Sequence, residues 1–390
     1  MSHEPPLIKK ILKKGDPWMK LLICAGMTGG GVYPALAVLQ TLNARIDDVL
    51  WVGSEGGMEN DLIPRLSIPF KAIPAAGIHG VSLRKLPGNV RKLTMGYKQA
   101  RTIIQSFQPD VFFSTGGYLS VPVARAARNI PSVIFIPDIE PGLALKTLVR
   151  NADEVLVSVE ETRGYLNKKK NVTVCGYPLR KEITQWDRIS GRKQFKLNED
   201  LPVVLVFGGS KGALSINRAL YPLLPELLQK CQIVHISGSD NWEETQQMVR
   251  SLPSNQQKVR YHAFPYLHET MGAALAAADL VVCRAGASTL GELPFFNLPA
   301  ILIPYPYAWR YQKTNADHLA RNGGAIIIKD ENMAKELKPA IMDLLENPQR
   351  LLEMEDAMKN LATPKAAEKI ADIILESSTH SKQKGATQHD

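Results

Sequence analysis

Met19-Lys-Leu-Leu-Ile-Cys-Ala-Gly-Met-Thr-Gly-Gly-Gly31 and Leu201-Pro-Val-Val-Leu-Val-Phe-Gly-Gly-Ser-Lys-Gly-Ala213 share one design, an apolar run that ends in a glycine-rich turn. Each reads as a buried β-strand entering a tight turn and a helix N-terminus. Two copies in a chain of 390 residues, 45% of them apolar, predict two α/β domains, each with a core of its own.

The rhythm continues outward from both stretches. In the first half, Leu21 to Ala25, Val49 to Val52, Val111 to Ser114, Ser132 to Ile136, Glu154 to Val157 and Val172 to Cys175 read as strands, with helices at Pro34 to Leu42 and Gly96 to Phe107. In the second, the strand candidates are Val203 to Phe207, Gln232 to Ser237, Val259 to Ala263, Leu280 to Val282, Ala300 to Ile303 and Ala325 to Ile328. Helices are expected there at Ser215 to Leu228 and Ser288 to Glu292. The charged, weakly periodic residues Arg180 to Asp200 read as the interdomain connection. The chain after Ser377 is polar and is expected to be disordered.

Composition excludes several classes. Cys24, Cys175, Cys231 and Cys283 are far apart, which rules out zinc-ligand spacing and a disulfide framework and predicts a reducing compartment. Leu7 to Leu12 is too short for a secretory segment, and no later stretch approaches a continuous apolar 18-mer. The formal net charge of +9 favours anionic partners, but aromatic residues are not interleaved with arginines, so nucleic acid is not expected. No Asp-x-Asp pair stands near a strand end, and no bound catalytic metal is expected.

The turn Thr28-Gly29-Gly30-Gly31, followed by Pro34 near the first helical turn, offers backbone donors to a phosphate. It lacks Gly-x-Gly-x-x-Gly and a carboxylate at the end of the next strand, and no Gly-x-x-x-x-Gly-Lys-[Ser/Thr] occurs anywhere. A nucleotide-sugar or diphosphate site therefore outranks a nicotinamide or ATP site.

Six stations occur in order: Gly26 to Ala35, Thr115-Gly-Gly-Tyr118-Leu-Ser-Val-Pro122, Gly176-Tyr-Pro-Leu-Arg180, Gly208-Gly-Ser-Lys-Gly-Ala213, Cys283-Arg-Ala-Gly-Ala-Ser-Thr-Leu-Gly-Glu292 and Gln312-Lys-Thr-Asn-Ala316. Over about residues 19 to 375 the sequence resembles the peptidoglycan N-acetylglucosaminyltransferase family. These are inverting enzymes of GT-B type that move N-acetylglucosamine from its UDP donor to undecaprenyl-diphosphate-linked muramyl pentapeptide. The resemblance implies two Rossmann-like domains facing an interdomain cleft. Residues 19–180 would form the acceptor and membrane-facing domain and 181–360 the UDP-sugar domain. A helix at 361–377 would pack back on the first domain, and 378–390 would form a disordered tail.

The resemblance also implies site roles. Arg180 and Ser210 reach the UDP diphosphate, with the backbone of Ser210, Lys211, Gly212 and Ala213 helping; Glu292 takes the ribose hydroxyls, Phe264 the uracil edge, and Gln312 and Asn315 the sugar. Thr28, Gly29, Gly30, Gly31 and Tyr118 belong to the acceptor side. Tyr311 stands where the family has a second glutamine, Gly31 where it has histidine, and Pro137-Asp138-Ile139-Glu140 where it has His-Glu-Gln-Asn. With no imidazole at Gly31, Asp138 and Glu140 at a strand end are the candidates for the catalytic base. The cofactor expectation is none tightly bound, with UDP-N-acetylglucosamine as co-substrate. Arg84, Lys85, Arg91 and Lys92, with Ile78, Val81, Leu83 and Leu86, suit an anionic membrane surface. The expected location is peripheral, on the cytoplasmic face of the plasma membrane, with cell-wall synthesis proteins as further partners. Three other readings stay open: a different acceptor on the same fold, UDP-sugar epimerisation or hydrolysis, and noncatalytic UDP-sugar binding.

Overall fold

The computed structural model describes residues 19–26, 28–42, 45–77, 82, 84, 86–168, 170–209, 211–307 and 311–386. Ser210 and four residues of the expected membrane strip, Ile78, Val81, Leu83 and Lys85, lie outside the described residues. The chain divides into two compact units, one of residues 1–180 and 365–390 and the other of residues 181–364.

The first unit holds a seven-stranded parallel sheet of β1 (Lys20–Cys24), β2 (Asp48–Ser54), β3 (Phe70–Ile73), β4 (Val111–Ser114), β5 (Ser132–Ile136), β6 (Glu154–Val157) and β7 (Val172–Val174), in the order β3-β2-β1-β4-β5-β6-β7. Leu21 pairs with Val49 on one side and Val111 on the other. Because parallel strands are covered by helices on both faces, the central ones are continuous apolar runs: Leu21 to Cys24 and Val111 to Phe113 are fully buried. The edge strand β3 was not expected from the sequence, and the reason is its exposure, since only Ile73 of its four residues is buried.

The second unit repeats the plan with β8 (Val203–Phe207), β9 (Gln232–Ile236), β10 (Tyr261–Phe264), β11 (Leu280–Cys283), β12 (Ala300–Leu302) and β13 (Ala325–Ile327), in the order β10-β9-β8-β11-β12-β13. Strand β10 begins two residues later than the sequence suggests, because Val259, 71% exposed, belongs to the helix Asn255–Arg260. In each sheet the strand order reverses beside the strand that carries the glycine turn, between β1 and β4 and between β8 and β11. Such switch points open a crevice at the carboxyl ends of the strands.

Two expectations change. Residues 181–200 are not a free connection: the helices Lys181–Thr184 and Arg188–Gln194 belong to the second unit and pack on the helix Met271–Ala277. The nearly buried Arg192 and the exposed Arg188 both pair with Asp279. At the other end, the helix Ala366–Ala386 continues past Ser377, while 387–390 lie outside the described residues. This helix packs on the helix Gly29–Leu42 of the first unit, where Arg45 pairs with Asp372 at 2.8 Å.

Candidate active site

In the first unit, the carboxyl ends of β1, β4 and β5 bring the motifs expected on the acceptor side to one edge of the sheet. The helix after β1 spans Gly29–Leu42, starting five residues before the expected Pro34. Pro34 is therefore inside the helix rather than in its first turn, and it removes the donor that would reach the Gly30 carbonyl. Packing supports this glycine-rich start: the Thr115 hydroxyl donates to the Gly31 carbonyl at 2.7 Å, tying the turn after β4 to the turn after β1. The amides of Gly31 and Val32 both donate to the Thr28 carbonyl at 3.1 Å, so the Gly31 donor that the sequence offered to a phosphate is spent inside the turn. Thr28 is exposed, Gly29, Gly30 and Gly31 are partly so, and Tyr118 is half-buried beside Gly77.

Asp138 and Glu140 follow β5 directly. Both are half-buried, and Ile139 between them is 1% exposed, so the buried isoleucine anchors the loop and leaves the flanking carboxylates nearer its surface. The Ser158 hydroxyl holds the loop by donating to the Pro137 carbonyl at 2.8 Å. A third carboxylate was missed. Glu59 is fully buried; its Oε1 accepts from the Ser54 amide at 2.8 Å and the Ser54 hydroxyl at 2.7 Å, and it lies so close to Gly26 that a Cβ there would overlap it. The sequence signal for it, a lone glutamate five residues after a strand, was weak. Cys24 is no nucleophile, since burial pushes its thiol up to about 12.

Arg180 is the last residue of the first unit. Its guanidinium stacks on the Tyr33 ring, 3.9 Å from the centroid, an arrangement that fixes a cation without consuming its hydrogen-bond donors.

In the second unit, Gly209, Lys211, Gly212 and Ala213 form a tight turn after β8, closed by the Gly212 amide on the Gly209 carbonyl at 3.0 Å. Gly212 has φ +76°, and a Cβ there would overlap the Ser237 carbonyl oxygen, so only glycine lets this turn rest on the one after β9. Asn217 and Asn241 both donate to that same Ser237 carbonyl, at 2.9 and 3.0 Å. Because the Asn217 amide nitrogen is directed there, its Oδ1 faces His235 Nε2 at 3.0 Å. The proton must then sit on Nε2, and Nδ1 accepts from the Tyr261 hydroxyl at 2.6 Å. This buried network supports the loop from behind. Lys211 is exposed and Ala213 is buried.

Glu292 is half-buried on the helix Thr289–Phe295, which opens after the loop Arg284–Ser288 at the end of β11. The other expected donor residues are partly committed elsewhere. Phe264, half-buried, makes an edge-on contact with Phe195, the ring centroids 5.4 Å apart. Asn315 is fully buried and gives its amide to the Ala285 carbonyl at 3.1 Å, so it positions the β11 loop. Gln312 accepts the Tyr305 amide at 2.8 Å through Oε1, which turns an ambivalent side chain into one whose outward chemistry is that of a donor. Arg284, 8% exposed, links three loops through the Ile303 carbonyl, Asp330 and the Ser215 hydroxyl. Its part was not read from the sequence. Among the described residues no cluster of His, Cys, Asp and Glu is arranged to hold a metal ion.

The two halves match known domains. Residues 21–157 match the glycosyltransferase family 28 N-terminal domain, and 203–370 match its C-terminal domain. The UDP-N-acetylglucosamine–N-acetylmuramyl-(pentapeptide) pyrophosphoryl-undecaprenol N-acetylglucosamine transferase of Roseiflexus sp. is 40% identical, over 92% of this chain and 95% of its own. The protein of the same name from Desulforamulus reducens is 39% identical, over 91% and 97%. The crystal structure of Acinetobacter baumannii MurG, 28% identical, superposes with a TM-score of 0.72 over 92% of this chain and 99% of that one. Paired parallel sheets, each with a glycine turn at its switch point, and relatives matched along nearly their full length lead to one assignment: the chain belongs to glycosyltransferase family 28, among the peptidoglycan-precursor N-acetylglucosaminyltransferases, with a GT-B type of fold.

Proposed function

We infer that this protein transfers N-acetylglucosamine from UDP-N-acetylglucosamine to undecaprenyl-diphosphate-linked muramyl pentapeptide, with inversion at the anomeric carbon. The observation that carries the reading is the 40% identity to the Roseiflexus enzyme across nearly the whole of both chains. In the reaction an acceptor hydroxyl attacks the anomeric carbon as UDP leaves from the opposite face. Negative charge grows on the diphosphate, so the Arg180 guanidinium and the backbone of the Lys211 to Ala213 turn stabilise the leaving group. Glu292 accepts the ribose hydroxyls, and Gln312 donates to the sugar through its amide nitrogen. Asp138 or Glu140 removes the acceptor proton, a task that falls to a carboxylate because Gly31 brings no imidazole.

A lipid-linked acceptor calls for a membrane surface. No described helix is long and apolar enough to cross a membrane. Arg84, Arg91 and Lys92 are exposed, and Val90 and Met95 on the helix Leu86–Phe107 are 47% and 43% exposed. Basic heads beside exposed apolar side chains suit peripheral contact with the anionic cytoplasmic leaflet. The glycine at position 31 favours one second reading, a transferase of the same fold with a different acceptor.

The experiment is mass spectrometry of products from purified protein, UDP-N-acetylglucosamine and the undecaprenyl-diphosphate muramyl pentapeptide. The N-acetylglucosamine-extended lipid is the expected product. Donor binding without transfer would redirect the search to another acceptor.

A further inference from the structure

Tyr305 and Tyr307 follow β12 at the carboxyl edge of the second sheet, and both are strongly exposed, at 45% and 83%. They are nonetheless mutually ordered. Their rings meet edge to face, with centroids 5.6 Å apart and planes at 71°. Tyr305 lies 5.3 Å from the Arg284 guanidinium, measured to its ring centroid. That cation is nearly buried and held by the Ile303 carbonyl and by the Ser215 hydroxyl at the start of the helix after the β8 glycine turn. The backbone of Tyr305 also donates to Gln312. One aromatic pair is thus anchored both to the loop system proposed for the diphosphate and to the amide proposed for the sugar.

Two large rings left in water beside such a site have a natural occupant in a pyranose. One face of a hexosamine ring carries axial C–H groups, whose slight positive charge suits the negative face of an aromatic ring. We propose that Tyr305 and Tyr307 form an aromatic wall against which the N-acetylhexosamine ring of the donor stacks, making Tyr307 a specificity-determining residue of the donor-sugar subsite. The wall contributes to sugar recognition and not to UDP recognition. This rests on the donor-site reading above.

The test is calorimetric titration of the full chain with UDP-N-acetylglucosamine and, separately, with UDP. Substitution at Tyr307 is well suited because its ring is so exposed that removing it leaves the core untouched. Y307A is expected to weaken UDP-N-acetylglucosamine binding by about fivefold, on the scale of aromatic stacking, and to leave UDP binding unchanged. Y307F, which keeps the ring, is expected to bind as the unsubstituted protein does. Equal weakening of both ligands, or no weakening of either, would each overturn the aromatic wall. Failure of the unsubstituted protein to bind UDP at all would instead overturn the donor-site reading beneath it.

Discussion

The Arg180 guanidinium lies 3.9 Å from the centroid of the Tyr33 ring, and the two residues come from motifs far apart in sequence. Tyr33 sits on the helix that opens at the first glycine turn, and Arg180 ends the segment after β7. The ring holds the cation by its face and leaves the N–H fork available for a diphosphate. Arginine-on-aromatic contacts contribute about 0.5–2 kcal/mol. Replacing Tyr33 with leucine is therefore expected to raise the KM for UDP-N-acetylglucosamine several-fold, whereas Y33F changes it little. Steady-state kinetics at saturating acceptor would decide; equal behaviour of the two variants removes the positioning role.

The Asp138 and Glu140 carboxylates make a sharper prediction. D138N and E140Q keep size and polarity but abolish proton acceptance, so the variant lacking the true base should lose about a hundredfold or more in single-turnover transfer. Donor binding should survive in both. Near-normal transfer by each variant would reject both candidates. A Cβ on Gly31 would press on the Gly26 carbonyl oxygen at 3.3 Å, a tight approach to backbone, and touch Thr115 Oγ1 at 3.6 Å, so G31A requires the Gly26 turn to yield by a few tenths of an ångström.

Where the sequence was readable, burial had left an unbroken apolar run, as in Val111 to Ser114 and Val203 to Phe207, whose ends were read to the residue. Where burial was partial the signal failed, as in β3. The charges from Arg180 to Asp200 misled for a related reason: Arg192 looks solvated in one dimension but is nearly buried, and its partner Asp279, which Arg188 also pairs with, is distant in sequence. At the site, motif spacing named residues but not their partners. Only three dimensions show that the Asn315 amide serves Ala285, or that the Tyr305 backbone consumes one end of Gln312.

His235 gives the second unit a dependence on pH. Burial lowers its pKa from 6.5 to about 3, so the folded protein holds it neutral between Tyr261 and Asn217, with the Tyr221 ring at 6.2 Å. Between those two values the unfolded chain binds the extra proton, so stability rises with pH across that window and falls as pH drops below 6.5. The slope contributed by this group approaches about 1.4 kcal/mol per pH unit at the centre of the window. Urea unfolding at pH 7.5 and 5 is expected to show that loss. H235L, though less stable overall, should flatten the dependence; an unaltered slope would assign it to other groups.

Gly286 separates folding from binding within the loop after β11. A Cβ there would meet nothing within 4 Å, and its φ lies outside the left-handed region, so alanine costs the fold little. The space is nevertheless at the carboxyl edge of the sheet, in the loop that leads into the helix bearing Glu292. If the donor occupies it, an added methyl obstructs the ligand alone. G286A is therefore expected to melt within a few degrees of the unsubstituted protein, as surface substitutions usually do, yet bind UDP-N-acetylglucosamine at least about tenfold more weakly. E292A should weaken UDP itself through loss of the ribose contact. G212A should fail differently: its methyl would strike the Ser237 carbonyl in a backbone already at φ +76°, lowering the melting temperature before any ligand is added. Full donor affinity in G286A would move the nucleotide away from the β11 loop, and unchanged UDP affinity in E292A would remove its ribose role.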